Sequence, residues 1–380
     1  MLEIGKDLKK GVAAHIDDSH SRAILICGKR GSGKSYTLGV IAEELFSSVP
    51  KPVILIVDPI GIYWTTCLPN LESGRKDGLP VKVMIPGTPE TRYGPDVTGE
   101  MQKLGVKFQE VRIDPYDLSS DQWCNLFDLS INEPLGIALY RAIQHLKRKK
   151  AFAIPEIIDA IQKDPLSQEK TREALLNRLE MANDWDIFSQ KPGQFLDLLS
   201  EGDLNILDLS VIDPGTHGLR NLLVSILCQD LFKKRLEARR REELKLPSRI
   251  KRIWLLIDEA HQFVPQGRDT LAKEILIRWI KEGRQPGLSC VFASQQPSSL
   301  ENEVLTQCDI IACHKLTNND DILSVNKLSQ DYMGSELRIY LRNLKNTGEA
   351  VLVDDEKERV SMIRTRERFT RHGGEEAKAQ

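Results

Sequence analysis

Residues 23–35 read AILICGKRGSGKS, and YTLGVIAEELF follows. Five apolar residues run into Gly28-x-x-x-x-Gly33-Lys34-Ser35, and then a helical pattern begins. No other stretch constrains the fold so strongly. A short buried strand that feeds a helix through a glycine-rich loop belongs to a sheet of parallel strands with helices on its faces. The glycines let the backbone wrap closely around a phosphate with its N–H groups turned inward, and the helix offers its positive end to the same point. Gly28, Lys29, Arg30, Gly31, Ser32, Gly33, Lys34, Ser35 and Tyr36 are therefore the candidate nucleotide-binding segment. Lys34 is expected to reach the β- and γ-phosphates of ATP, and the Ser35 hydroxyl to ligate Mg²⁺. The alternative is a solvated turn, but the four fixed positions should arise by chance on the order of once in a hundred chains of this length.

A second feature asks for the same partner. In IWLLIDEAH, residues 253–261, an apolar run ends in two adjacent carboxylates, Asp258 and Glu259. One carboxylate would serve as a helix cap; two call for a cation or a reacting water beyond the strand. In phosphate-loop enzymes a strand beside the loop strand ends in an Asp that holds magnesium, and Asp258 fits that place. Glu259 would polarise a water for in-line attack on the γ-phosphate, which favours hydrolysis over binding alone.

The 380 residues are 41% hydrophobic and 28% charged, an ordinary globular balance. No stretch approaches 18 uninterrupted apolar residues, so no membrane span is expected, and the first residues lack the pattern of a signal peptide. Seven scattered cysteines without CxxC pairing suit a reduced, cytoplasmic protein. The net charge of −2 means that any DNA contact must use a local basic surface.

Strands are expected at 23–27, 53–57, 81–85, 110–113, 204–209, 253–257, 289–293, 310–312 and 350–353. Lys34 and Asp258 lie more than half the chain apart, so an insertion must separate them. The expected organisation is an N-terminal extension (1–20), a core (21–132 and 203–360) interrupted by a helical subdomain (133–202), and a tail (361–380) whose end, HGGEEAKAQ, is loose. Residues 218–245 read as one long helix whose second half, KKRLEARRREELK, is either a solvated end or a face toward DNA.

In TLAKEILIRWIKEGRQPGLSCVFAS, residues 270–294, Leu271, Ile275, Leu276 and Trp279 recur at helical spacing. Gly283 is expected to end that helix in a left-handed turn, lifting Arg284 onto a loop tip before the next strand. Arg284 would serve either a neighbouring subunit's γ-phosphate or a local carboxylate. Gln295, at the end of that next strand, would touch γ-phosphate and attacking water, or be an idle loop residue.

Together these motifs resemble the HerA branch of the HerA/FtsK-type pumping ATPases. The resemblance rests on GKRGSGKS, VILIVDPIGIYW, LLIDEAHQFVP, EGRQPGLSCVFASQQPSSL, and the closing GEAVLV and MIRTRERFTRHGG. It implies an α/β, RecA-like P-loop NTPase core with a mostly parallel sheet and a helical insertion, assembled as a homo-oligomeric ring, usually a hexamer. ATP would be bound between subunits and DNA threaded through the centre. It gives Lys34 and Ser35 the phosphate and Mg²⁺, Asp258 and Glu259 the metal and water, Gln295 the γ-phosphate, and Arg284 the role of a finger acting across the interface. Apart from the resemblance, Arg92–Tyr93 and Lys147–Lys150 are either pore segments or solvated surface, and the sequence does not choose between the two. Three departures bear on partners. The family's N-terminal β-barrel is expected to be absent, which puts a nuclease partner in doubt; Ile62 replaces an acidic residue in DPIGIY; and Gln296 replaces an arginine. The expected function is a DNA translocase working with a nuclease or other effector. The competing expectation is a nucleotide-gated scaffold for a separate effector, and a membrane-anchored conjugation ATPase ranks third.

Overall fold

The computed structural model describes residues 1–149, 151–190, 195–213, 218–248, 250–328 and 336–374. Twelve strands form one sheet: β1 (Leu2–Asp7), β2 (Ala13–Ile16), β3 (Ala23–Cys27), β4 (Val53–Asp58), β5 (Val81–Pro86), β6 (Lys107–Val111), β7 (Leu204–Asp208), β8 (Ile253–Ile257), β9 (Leu288–Ser294), β10 (Ile310–His314), β11 (Glu349–Asp354) and β12 (Arg359–Thr365). Their order is β2-β1-β12-β11-β10-β3-β9-β8-β4-β7-β5-β6. From β10 to β6 every neighbouring pair is parallel. The other four strands extend the sheet antiparallel. β3, β4, β7, β8 and β9 are buried at every residue, because helices cover both faces of a parallel sheet and leave no side for polar alternation.

One face packs against helix α1 (Lys34–Ser47), which places Leu38, Ile41 and Leu45 with Ile24, Ile26 and Ile56 in one core. The opposite core joins Leu25, Leu55 and Leu255 to the long helix Leu219–Glu243, the helix Lys273–Glu282 and the helices of the inserted stretch. Those are Pro134–Leu146, Ile154–Gln162 and Glu169–Asn183, and their Leu139, Ile143, Ile157, Leu175 and Leu179 are continuous with the sheet's core.

Several expectations are corrected. Residues 1–20 are no extension: they carry β1 and β2, and Leu2, Ile4, Ala14 and Ile16 point into the core. Alternation over only two or three apolar positions was too short to read, and Gly5 masks it. A Cβ there would fall on the Arg364 carbonyl, so glycine permits β12 to lie alongside. The expected tail begins inside β12, and residues 366–374 pack against α1, while 375–380 fall outside the described residues. β6 starts three residues earlier than expected, and Ile113 instead bridges Phe188 of the inserted stretch. The strand carrying Asp258 is not beside the loop strand: β9 stands between β3 and β8. The helix before Arg284 does end at Gly283, but with right-handed dihedrals (φ −69°, ψ −19°). Glycine is needed there because a Cβ would strike the Trp279 carbonyl, and the left-handed turn falls at Gly287 (φ 86°).

Candidate active site

The phosphate loop, the acidic pair and Gln295 hang from the carboxyl ends of the parallel strands β3, β8 and β9, where this class of sheet opens a crevice. The loop after β3 leads into α1, whose N-cap, Gly33, is left-handed (φ 109°) and carries no side-chain cap. The N–H groups of the first helical turn have no carbonyl inside the helix to bind. A Cβ on Gly28 would lie 2.6 Å from both His314 Cβ and Ser32 Oγ, and one on Gly33 3.3 Å from Gly348 Cα. Only bare backbone fits this cradle. Lys34 is buried, and its ammonium donates to the Lys29 carbonyl at 3.1 Å, which also accepts from the Ser32 N–H and hydroxyl. Burial pulls the Lys34 pKa below its ordinary value, against the pull of Glu259 and Asp258. A buried cation at the N-terminus of a helix whose first N–H groups have no intrahelical carbonyl fits a polyphosphate.

His314, at the end of β10, supports the loop from below. Its Nδ1 lies 2.9 Å from the Glu349 carbonyl, which can only accept, so Nδ1 carries the proton. Nε2 then accepts from the Thr37 hydroxyl at 3.0 Å, and Thr37 accepts from Thr365 at 3.0 Å. Burial holds the ring neutral, with a pKa of about 4.

Asp258 is fully buried. Its Oδ2 accepts from the Tyr63 hydroxyl at 2.7 Å and its Oδ1 from the Glu259 N–H at 2.9 Å. Tyr63 is placed by Asp58, which accepts from the N–H groups of Ile60, Gly61 and Tyr63. Burial and the neighbouring Asp208 push Asp58 well above the usual carboxylate range. Each Asp258 oxygen keeps a lone pair. With Ser35 lining the cavity, the donor set fits a hydrated Mg²⁺ that Asp258 would hold through water.

Glu259 is 6% exposed and sits in the left-handed region (φ 47°, ψ 46°). That costs a non-glycine residue roughly 1–2 kcal/mol and is common at functional positions. The Gln295 side-chain amide donates to its Oε1. Its Oε2 is buried without a hydrogen-bond partner among the described residues, and His261 Nδ1 approaches it only to 3.4 Å. A cavity of about 530 Å³ brings Glu259 and Gln295 together with Arg30, Gly31, Gly33, Lys34, Ser35 and Tyr36. Gly28, Ser32 and Asp258 are buried outside that lining, and Lys29 is exposed outside it.

Arg284 is elsewhere. It is exposed and precedes β9, whereas Gln295 follows it. Seven residues of strand at about 3.3 Å each put roughly 20 Å between them. Arg284 lines a second cavity, of about 520 Å³, with Lys51, Arg235, Arg239, Lys251 and Arg252, against the single carboxylate of Glu242. Three of the suggested pore residues are tied down internally: Arg92 donates to the Pro86 and Trp185 carbonyls, Tyr93 to Asp208, and Lys147 to the Tyr116 carbonyl, while Arg148 and Lys149 are exposed. Lys150 lies outside the described residues. Sequence reasoning missed His314 altogether, and knew Tyr63 only as one letter of DPIGIY.

A phosphate loop on one parallel strand, with an acidic pair two strands away and a polar amide on the strand between, defines a P-loop NTPase of mixed α/β fold. Within that class the chain belongs to the HerA helicase family: the family described as "Helicase HerA, central domain" matches residues 2–231. It is 24% identical over 375 residues to a probable helicase of Methanocaldococcus jannaschii, covering 94% of this chain and 64% of that one. It is 23% identical over 383 residues to the DNA double-strand break repair helicase HerA of Sulfurisphaera tokodaii, covering 93% and 66%. The chain thus spans a little under two thirds of the length of these relatives. Among solved structures, VirB4 of Thermoanaerobacter pseudethanolicus superposes with a TM-score of 0.62 at 16% identity, covering 97% of this chain and 96% of that one. The plasmid coupling protein TrwB with a non-hydrolysable ATP analogue gives 0.58 at 14%, covering 94% and 88%. These two likenesses concern the fold. No helix among the described residues is long and apolar enough to cross a membrane.

Proposed function

We propose that this chain hydrolyses ATP in a ring of identical copies and uses the cycle to move DNA. The observation that carries the chemistry is the buried Glu259 carboxylate, with one oxygen fixed by Gln295 and the other without a hydrogen-bond partner among the described residues, in one cavity with the phosphate loop. Mg²⁺, bound with the nucleotide, would draw charge from the phosphate oxygens. Lys34 and the N–H groups of the loop hold the β- and γ-phosphates. Oε2 of Glu259 accepts a hydrogen bond from a water and takes its proton as the water oxygen bonds to the γ-phosphorus. The bond from phosphorus to the β-phosphate oxygen breaks, and ADP and phosphate leave. Gln295 keeps Glu259 aimed and reports whether the γ-phosphate is there.

Arg284 enters through a second copy. Its exposed position, about 20 Å from its own Gln295 at the opposite end of β9, suits a guanidinium that meets a neighbour's triphosphate. Hydrolysis is then coupled to subunit motion. The DNA reading is supported by the named helicase relatives. A ring multiplies local basic surfaces into a continuous positive lumen, which would let a chain of net charge −2 grip phosphates. A nuclease or other effector as partner belongs to the same proposal.

The test is ATP turnover over a salt series with and without DNA. Stimulation that fades with salt supports the motor. Turnover indifferent to single- and double-stranded DNA alike favours a nucleotide-gated scaffold.

A further inference from the structure

After β12 the chain does not leave the molecule. Residues 366–374 cross the outer side of α1 as a strap, and the anchor is Glu43, 1% exposed. Its carboxylate accepts from the N–H groups of Phe369 (3.1 Å) and Thr370 (3.0 Å), the Thr370 hydroxyl (2.6 Å) and the Arg366 guanidinium (2.8 Å). One turn earlier, Gly39 makes room for Arg368, since a Cβ there would fall on its guanidinium. On the other side Asn70 binds the Arg368 and Phe369 carbonyls, both at 2.9 Å, and the Arg371 N–H donates to the Leu68 carbonyl at 2.9 Å. These buried polar contacts fix the strap's course across α1.

The strap delivers His372 to the cavity, edge-on to Tyr36 in the first turn of α1, with ring centroids 5.5 Å apart. Arg368 Nη1 lies 3.2 Å from His372 Nδ1. A guanidinium only donates, so Nδ1 accepts and the one proton of the neutral ring sits on Nε2. Nε2 faces Gly374, where a Cβ would come within 2.7 Å of it. Tyr36, Ile60, Ile62, His372 and Gly374 line the same cavity as the phosphate loop. They supply ring and aliphatic surface with one neutral N–H donor, the chemistry of a nucleoside rather than of a phosphate. The Arg366 charge is spent on Glu43 and Glu44.

We propose that the strap is the nucleoside wall of the site, with His372 Nε2–H donating to an acceptor on the base or ribose while Tyr36, Ile60 and Ile62 cover its face. The proposal rests on the phosphate loop holding the polyphosphate of the same nucleotide, and the two can fail separately. Calorimetric titration with ADP and with inorganic tripolyphosphate tells them apart. His372→Ala should weaken ADP by about 10-fold, the effect of one hydrogen bond and a lost ring, and leave tripolyphosphate within about 2-fold. His372→Gln can accept from Arg368 and donate in place of Nε2, and should keep ADP within about 3-fold of wild type. Equal loss of both ligands in His372→Ala, or no loss of either, overturns the nucleoside wall and leaves the strap a structural brace. An Ala variant that fails to fold leaves the decision to the Gln variant, where an ADP loss of 10-fold or more with tripolyphosphate intact overturns the donor role. Wild-type protein that binds neither ligand overturns the phosphate-loop reading, and the wall with it.

Discussion

The two ends of the parallel strands use charge in opposite ways. At the carboxyl ends, Lys34, Asp258 and Glu259 are each nearly or fully buried and face one another or fixed donors. At the amino ends, Arg284 is exposed, and its neighbours Arg235, Arg239 and Lys251 are paired with Glu242, Glu243 and Glu201 around an open surface. Buried charges of opposite sign are costly to build and unforgiving to alter, whereas exposed cations stabilise the fold by little and gain value only when an anion arrives. Under the proposed mechanism one end is chemistry assembled within a chain and the other is half of a contact.

The sharpest way to break that contrast is at the loop. Lys34→Ala should abolish measurable turnover and weaken ATP binding by at least 100-fold, read by nucleotide titration, because a desolvated cation on the β- and γ-phosphates has no substitute. Next, Arg284→Ala should cut turnover by about 10³-fold while ATP affinity stays within about 3-fold. Mixing it with Lys34→Ala chains should restore activity if the two residues serve one site from two copies. Loss of nucleotide binding in Arg284→Ala would erase the difference between the ends. Glu259→Gln should lower turnover by about 10²–10⁴-fold with ATP retained, seen as unhydrolysed nucleotide after rapid desalting. Tyr63→Phe leaves Asp258 Oδ2 without its donor and should reduce turnover about 10-fold, with a raised Mg²⁺ requirement as the second readout.

The smallest effect concerns pH. His314 has a folded pKa of about 4 against an ordinary 6.5, so the unfolded chain binds the proton more readily. The stability it contributes is complete above about pH 6.5 and falls as pH drops toward 4. The loss should reach about 2 kcal/mol by pH 5, visible in urea melts. His314→Gln should flatten the slope over that window, although His372, also near 4, adds its own share.

The parallel core was legible because both of its faces are covered: unbroken apolar runs such as AILIC, VILIV and IWLLI carry their own signal. Of the antiparallel flank β11 was legible for the same reason, but β1 and β2 were not, since β1 offers only Leu2 and Ile4 before Gly5 interrupts the alternation and β2 is four residues long. The loop and the acidic pair were readable because their chemistry is local in sequence. What holds them was hidden for the converse reason. His314 meets Thr37 and Glu43 meets Thr370 across most of the chain, and no spacing rule links such pairs. Sheet order belongs here too: nothing in 253–261 says that β9 will lie between β8 and β3. The αL backbone of Glu259 is likewise invisible beforehand, because the residue type argues against it.

The roughly 20 Å of strand between Arg284 and Gln295 has a kinetic consequence. Under the proposed mechanism no chain can finish its own site, so specific activity is not a constant of the protein. It should fall on dilution as rings dissociate and level off at high concentration, giving a reaction order in enzyme above one that returns to one once assembly is complete.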